Sequence, residues 1–379
     1  MTLSVQPVET DADLDAFIGL PERLYRGMPG YAAPLDMETR SFLDPKKAPF
    51  FKHGKAQYWL ARRNGEPVGR ISAQIDHAQP QAAFGNAGLF GCLDAIDDPE
   101  VIGALLDQAE AWLREEGKAC AVGPCTLSMN EMPGLLLEGQ EEPAMIMAAW
   151  HPVYLASHLA ARGYMQSREL HFWRSKTSIE FYGSQDNRKT RLRLPAGVTL
   201  RPLDLRNIAG ELETMRALYN DAWCDNWGFV PIEREDLEGI AKDMKPFLKK
   251  EYGIIAEKDG QPVAVAMILP NLMEITADLG AKPSLLGWVK LGFRTVFHRF
   301  STGRIILLGV ASHLRHSVGG AAIAMRVVEE IANRFTDYPG QSNWLEAGWV
   351  LDNNAALGKI LEHNAFHIVR KYGMFEKAL

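Results

Sequence analysis

Residues 303–335 read GRIILLGVASHLRHSVGGAAIAMRVVEEIANRF. Ile305, Ile306, Leu307, Leu308 and Val310 form a near-continuous apolar run, the pattern of a strand buried on both faces. A basic turn follows, with Ser312, His313, Leu314, Arg315, His316 and Ser317, and then Gly319 and Gly320. From Ala321 to Phe335 the apolar residues Ile323, Val327, Val328 and Ile331 recur at helical spacing. A strand, a glycine turn and a helix in that order gather unpaired N–H groups and the positive end of a helix dipole at one corner. Such a corner suits a phosphate or diphosphate, and small residues let the ligand come close to the backbone. An ordinary strand-to-helix connection would use the glycines only to close the turn. The stretch alone does not separate the two readings.

Downstream, Trp344–Val350 (WLEAGWV) is a second buried strand by the same pattern. Asp352–Asn354 start a short helix that runs to about His363, and a final strand spans His367 to about Glu376. With these residues in this order the chain resembles the GCN5-related N-acetyltransferase (GNAT) superfamily. There, a strand leads into an Arg/Gln-x-x-Gly-x-Gly/Ala turn on the coenzyme A diphosphate. A helix, a second strand and an Asn-x-x-Ala…Tyr-x-x-x-Gly-Phe helix follow. Here Arg315-His316-Ser317-Val318-Gly319-Gly320 matches the turn, with Val318 in place of the first glycine. A register one residue later, His316-x-x-Gly319-x-Ala321, restores that glycine and loses the arginine. Asn354 matches the asparagine, Ala365-Phe366 stands where Gly-Phe is expected, and Leu361 replaces a common tyrosine proton donor. The resemblance implies an acyl-CoA co-substrate, acetyl-CoA or another, and no metal. It implies that Val310, Ala311, Ser312, Arg315, His316, Ser317, Val318, Gly319, Gly320 and Ala321 bind it, with Asn354 at the pantetheine or the helix start.

A length of 379 residues points to two domains. The chain is 47% apolar and 23% charged, as soluble globular proteins are. Its net charge of −6, without a long basic block, argues against a nucleic-acid partner. Cys92, Cys120, Cys125 and Cys224 form no CxxC pair, which argues against a zinc site or a disulfide framework. The first residues show no secretory pattern and no apolar run reaches membrane-spanning length, so a cytoplasmic protein is expected.

The amino half echoes the carboxyl half. Ala56–Arg63 and Pro67–Asp76 alternate around Asn64-Gly65, a strong hairpin signal. Tyr252–Lys258 and Gln261–Leu269 do the same around Asp259-Gly260, about 195 residues later. Where the amino half should carry its glycine turn it has Ile96-Asp97-Asp98-Pro99, which caps a helix well but repels a diphosphate. The expected fold is therefore α/β (α+β), with two GNAT-like domains. Each is a mixed, mostly antiparallel sheet flanked by helices. Residues 1–178 form the copy with a lost turn, a polar linker covers 179–196, and residues 197–379 hold the acyl-CoA site.

Transfer of an acyl group from a thioester to an amine needs a base, because an alkyl ammonium has no lone pair. Glu346, a carboxylate in an apolar strand, is the first candidate, with a buried salt bridge as its structural alternative. Glu274 is the second. Tyr372, on the final strand, is the candidate acid, or else a core aromatic. Tyr219, Trp223 and Trp227 are expected to wall the acceptor pocket or to join two helices. Between Leu279 and Gly303, an apolar stripe with Lys290, Arg294 and Arg299 opposite suggests a substrate lid or a membrane-surface helix. Packing of that helix on the neighbouring domain is the expected arrangement. The function expected is acyl-CoA-dependent acylation of a small-molecule or peptide amine. A non-catalytic scaffold and an aminoacyl-tRNA-dependent transferase are the alternatives.

Overall fold

The computed structural model describes residues 2–175, 193–244, 246–335 and 342–379. The expected linker at 179–196 lies mostly outside them. The amino half begins with β1 (Leu3–Pro7), α1 (Asp11–Tyr25), α2 (Asp36–Leu43), β2 (Gly54–Arg63) and β3 (Glu66–Asp76). It continues with α3 (Gln81–Phe84), β4 (Ala87–Ala95), α4 (Pro99–Glu115) and β5 (Cys120–Gly123). Short strands β6 (Cys125–Thr126), β7 (Met132–Pro133) and β8 (Leu135–Glu138) precede α5 (Tyr154–Ala161) and β9 (Met165–Ser175). The carboxyl half has β10 (Val198–Pro202), α6 (Ile208–Trp223), α7 (Arg234–Met244), β11 (Gly253–Lys258) and β12 (Gln261–Pro270). Then come α8 (Met273–Thr276), α9 (Leu285–Phe297), β13 (Thr302–Val310), α10 (Ser312–Arg315) and α11 (Val318–Phe335). β14 (Trp344–Leu351), α12 (Ala355–His363) and β15 (Phe366–Ala378) complete it.

Both hairpins form where the sequence places them. Asn64 and Gly65 have φ of 52° and 87°, and Asp259 and Gly260 have 51° and 81°, as a tight two-residue turn requires. Residues on α11 pack Ile323, Val327, Val328 and Ile331 against the carboxyl sheet, and α4 packs Val101, Ile102, Leu105 and Leu106 against the amino sheet.

The two sheets are one. Strand order runs β1-β2-β3-β4-β5-β15-β9-β14-β13-β12-β11-β10. Read from the sequence, β9 closes the amino half and β15 the carboxyl half. By hydrogen bonding they are exchanged: β9 lies against β14 and β15 lies against β5. A boundary drawn at residue 178 therefore cuts through a shared sheet. Another shared feature positions the site. β13 and β14 pair in parallel only from Thr302–Ile305 against Trp344–Ala347 and then diverge. β4 and β5 pair only from Ala87–Leu89 against Cys120–Val122. Each half thus opens a cleft between its two central strands.

Where the halves meet, register sets a charge ladder across three strands. Arg304 of β13 lies opposite Glu346 of β14, and Glu346 lies opposite Arg174 of β9. Glu346 is 0% exposed. One carboxylate oxygen accepts from Arg174 at 2.7 Å, and the other accepts from Arg370 of β15. Arg174 also donates to Glu142 at 2.6 Å. Arg304 donates to the carbonyls of Ile146 (2.8 Å) and Gly348 (3.0 Å), and burial pushes its guanidinium down to about 10. Removing one partner of such a buried network strands the rest without counter-charge. Glu346→Ala is expected to lower stability by about 3–5 kcal/mol. Urea unfolding followed in both halves should show one coincident transition at lower midpoint; separate transitions would mean the halves are not locked by this network.

Candidate functional site

The corner after β13 is built from a strand end, one short helix and the start of a long one. Ala311 N–H donates to the Val263 carbonyl at 2.8 Å and keeps the chain in the sheet. Ser312 then turns away, and its N–H (2.6 Å) and hydroxyl (2.7 Å) both donate to the Asp221 carboxylate at the end of α6. The Ser312 amide in particular holds that carboxyl below the ordinary aspartate range. Arg315 donates to the Asp221 carbonyl (3.0 Å) and to Asp225 (3.2 Å). Ser317 caps α11: its hydroxyl oxygen accepts from Gly320 N–H at 2.9 Å and its carbonyl from Ala321 N–H at 3.1 Å. A Cβ on Gly320 would stand 2.0 Å from the Leu314 carbonyl, so the turn itself demands glycine there.

Of the expected cofactor-binding set, Ala311, Ser312, Gly320 and Ala321 thus spend their backbone donors inside the protein. The amides left without an acceptor among the described residues are those of Val318 and Gly319, at the first turn of α11. This helix start is open to solvent. Val318 is 90% exposed, no acid lies in the first turn, and His313, His316 and Ser317 are exposed around it. The residues present offer a diphosphate two bare amides at a helix N-terminus, flanked by Arg315, which is itself paired with Asp225. Val310, the last residue of β13, is half-buried and pairs with Ala264 of β12.

The cleft between β13 and β14 is lined by aromatics. Trp223 Nε1–H donates to the Leu308 carbonyl at 3.0 Å, where β13 has already left β14. Its ring stacks on Tyr219 (5.4 Å between centroids, 21° between planes) and meets Trp349 edge-on at 5.9 Å. Trp227 turns away to the amino half, against Phe84 (4.9 Å) and beneath Arg168 (5.2 Å). There the loop between β6 and β7 closes over the carboxyl half: Asn130 Nδ2 donates to the Val230 carbonyl at 3.0 Å. Beside it sits Glu131, half-buried and with no cationic partner among the described residues. Burial, and after it the Asp236 carboxylate, push its carboxyl up to about 7.

The remaining candidates have structural partners. Glu346 is pinned between Arg174 and Arg370, with a guanidinium on each carboxylate oxygen. Glu274 accepts from Thr302 N–H (2.6 Å), Ser301 N–H (3.1 Å) and pairs with His298 (2.8 Å), which anchors the start of β13. Tyr372 is buried on β15, remote from β13 in the strand order; its hydroxyl donates to the Ala149 carbonyl at 2.9 Å, and burial pushes it up to about 12. Asn354 caps α12, accepting from Leu357 N–H at 3.2 Å. Sequence reasoning missed Asp221, Asp225 and the role of Glu131. Their partners Ser312 and Arg315 lie 91 and 90 residues away in the chain, so no local pattern marked the first two. A cavity of about 560 Å³ lies elsewhere, between α1 and the 277–282 turn, lined by Glu22, Arg26, Asp36, Asp278 and Lys282.

This is the architecture of a tandem GNAT acyltransferase fold. A tandem GNAT protein from the clavulanic acid biosynthesis pathway superposes with a TM-score of 0.57 at 12% identity, covering 100% of this chain and 98% of that one. The sequence narrows this further. It is 38% identical over 378 residues to the bacterial ceramide synthase of Caulobacter vibrioides, covering 100% of this chain and 98% of that protein. It is 33% identical over 368 residues to protein YghO of Escherichia coli, covering 97% and 93%. The chain belongs to the family that contains these two proteins. No protein-family model matches it.

An acid at position 318 separates helix stability from anion binding. Val318→Glu is expected to leave the melting temperature unchanged or raised, because a carboxylate suits a helix start by about 0.3–1 kcal/mol. The same change should weaken coenzyme A binding at least about tenfold by calorimetry; unchanged affinity would remove this helix start as the diphosphate site.

Proposed function

We propose that this protein is an N-acyltransferase that moves a long-chain acyl group from a coenzyme A thioester to the amine of a long-chain amino alcohol. The observation that carries this reading is the full-length likeness to a ceramide synthase, joined to an open helix start beside an aromatic-lined cleft. A ceramide is the amide of a fatty acid with a long-chain amino alcohol, so the acceptor class follows from that likeness.

Coenzyme A supplies an acyl group activated as a thioester. The protein's own residues do the rest. Val318 and Gly319 amides hold the diphosphate, with Arg315 beside it. The divergence of β13 from β14 leaves backbone groups of Leu308–Val310 and Gly348–Leu351 outside the parallel ladder. Trp223 and Trp349 wall the cleft and exclude water from it. An amine that enters as ammonium has to lose a proton before it attacks. Glu131, whose carboxyl burial pushes up to about 7, is the candidate for that task, in the loop whose Asn130 reaches the Val230 carbonyl of the carboxyl half. This assignment replaces Glu346 as base and leaves Tyr372 as a core residue. One observation favours a second, non-catalytic reading: Asp221 occupies the Ser312 donors that the superfamily turn would offer to a ligand.

Incubation of the purified protein with a long-chain acyl-CoA and a long-chain amino alcohol should release free thiol and yield the amide by mass spectrometry. Absence of amide with bound coenzyme A would support the non-catalytic reading. Glu131 adds a pH signature. Its folded-state carboxyl titrates near 7, above an ordinary glutamate, so the fold favours the protonated form. That contribution to stability is complete below the unfolded value and is lost as pH rises through 7. Glu131→Gln should therefore melt like the parent at pH 4.5 and higher than the parent at pH 8. As base, Glu131 must be ionised, so kcat/KM should rise through pH 7 in the parent and be flat and about 100-fold lower in the Gln variant. A parent-like profile in that variant would exclude Glu131.

A further inference from the structure

Helix α9 is amphipathic in the reverse of the usual sense. A surface helix ordinarily turns its apolar stripe inward and its charges to water. At 100° per residue, Leu285, Leu286, Val289, Phe293, Val296 and Phe297 share roughly one third of the circumference. In the structure these are the residues that face solvent: Leu285 is 87% exposed, Val289 71%, Phe293 64% and Val296 71%. No residue of α9 is fully buried. What ties the helix down is its polar side. Lys290 and Arg294 both pair with Asp278, and Arg294 also donates to the Ile275 carbonyl at 2.9 Å. Packing on the neighbouring domain, the arrangement expected from sequence, is not what the structure shows.

An apolar stripe of about 20 Å, held outward by ion pairs, is a surface waiting for an apolar partner. Its charge says which. Residues 281–301 carry Lys282, Lys290, Arg294 and Arg299 and no carboxylate, in a chain whose net charge is −6. Asp36 and Asp278 offset part of this, and Arg299 stands exposed at the end of the helix. Trp288, half-exposed at the edge of the stripe, is the residue type that settles at a lipid headgroup boundary. A second copy of this chain would meet the patch with itself in a two-fold pair and set cations against cations. A bilayer with anionic headgroups meets the stripe with acyl chains and the exposed Arg299 at the helix end with a phosphate, and the helix brings no carboxylate of its own to repel it. Among the described residues no helix is long and apolar enough to cross a membrane, so the contact is with one leaflet.

We propose that α9 is a membrane-docking helix that lies in the surface of an anionic leaflet. The proposal stands on the helix alone and does not depend on the acyl-transfer reading.

Co-sedimentation of the full-length protein with vesicles tests it. Vesicles of phosphatidylglycerol and phosphatidylethanolamine should pull down the parent protein, at least tenfold more than vesicles of phosphatidylcholine alone. Val289→Glu with Phe293→Glu alters only exposed side chains, so melting should be unchanged while vesicle binding falls at least tenfold. Arg299→Glu should weaken anionic vesicle binding several-fold and respond to added salt. Failure of the parent to bind anionic vesicles overturns the proposal, as does binding that the double variant leaves intact. A parent dimer that the double variant converts to monomer in light scattering would overturn it in favour of a second copy.

Discussion

The carboxylate of Glu346 is the pivot of this molecule. It lies without solvent between the Arg174 guanidinium of the amino half and the Arg370 guanidinium of the carboxyl half, on strands β14, β9 and β15 that the exchange of closing strands brings side by side. An ion so buried is stable only while every partner is in place. The network therefore specifies which strand lies beside which more than it adds to net stability. Arg174 on β9 fits only beside β14, and Arg370 on β15 reaches Glu346 from the next strand along. Apolar residues at these positions would pack equally well in several registers; these charges fit one.

The candidate site inherits its geometry from that arrangement. β14 is fixed on the β9 side by its ladder and its ion pairs, so its far end is free to part from β13 and open the cleft. The amino half, locked to the same sheet, brings the Asn130–Glu131 loop against Val230 of the carboxyl half. One half carries the open helix start, and the other carries Glu131, whose carboxyl burial pushes up. The amino half's own corner has no such role: Asp98 caps α4 through the amides of Glu100 and Val101 and pairs with Arg63, which leaves no bare donor for an anion.

Much of this was legible in the sequence because it is local. Hairpins at Asn64-Gly65 and Asp259-Gly260, the apolar run before Val310 and the helical stripe of α11 are written in neighbouring residues. Strand exchange was not legible, because β9 and β15 carry the same alternating pattern whichever sheet they join. Glu346 was legible as an anomaly, a charge in an apolar strand, but its meaning depended on Arg174 and Arg370, distant in sequence. Ser312 and Gly320 looked like ligand-binding residues because the turn resembles one that binds a diphosphate. Asp221, more than ninety residues away in the chain, takes the Ser312 donors, and Ser317 takes the Gly320 amide. The outward stripe of α9 was visible as a stripe; which way it faced was decided by Asp278, which pulls the charged side inward.

Exchange of the closing strands also governs how the chain is made. On a ribosome the amino half emerges first, yet the partner for the edge of β5 is β15, at Phe366–Ala378 of the carboxyl half. Until β14 and β15 have emerged, β5 presents an unpaired edge and β9 has neither of its neighbours. The nascent amino half cannot mature domain by domain, as repeated units in one polypeptide commonly do. Its completion waits for β15, and loss of that strand would leave the shared sheet open at β5 and at β9 at once.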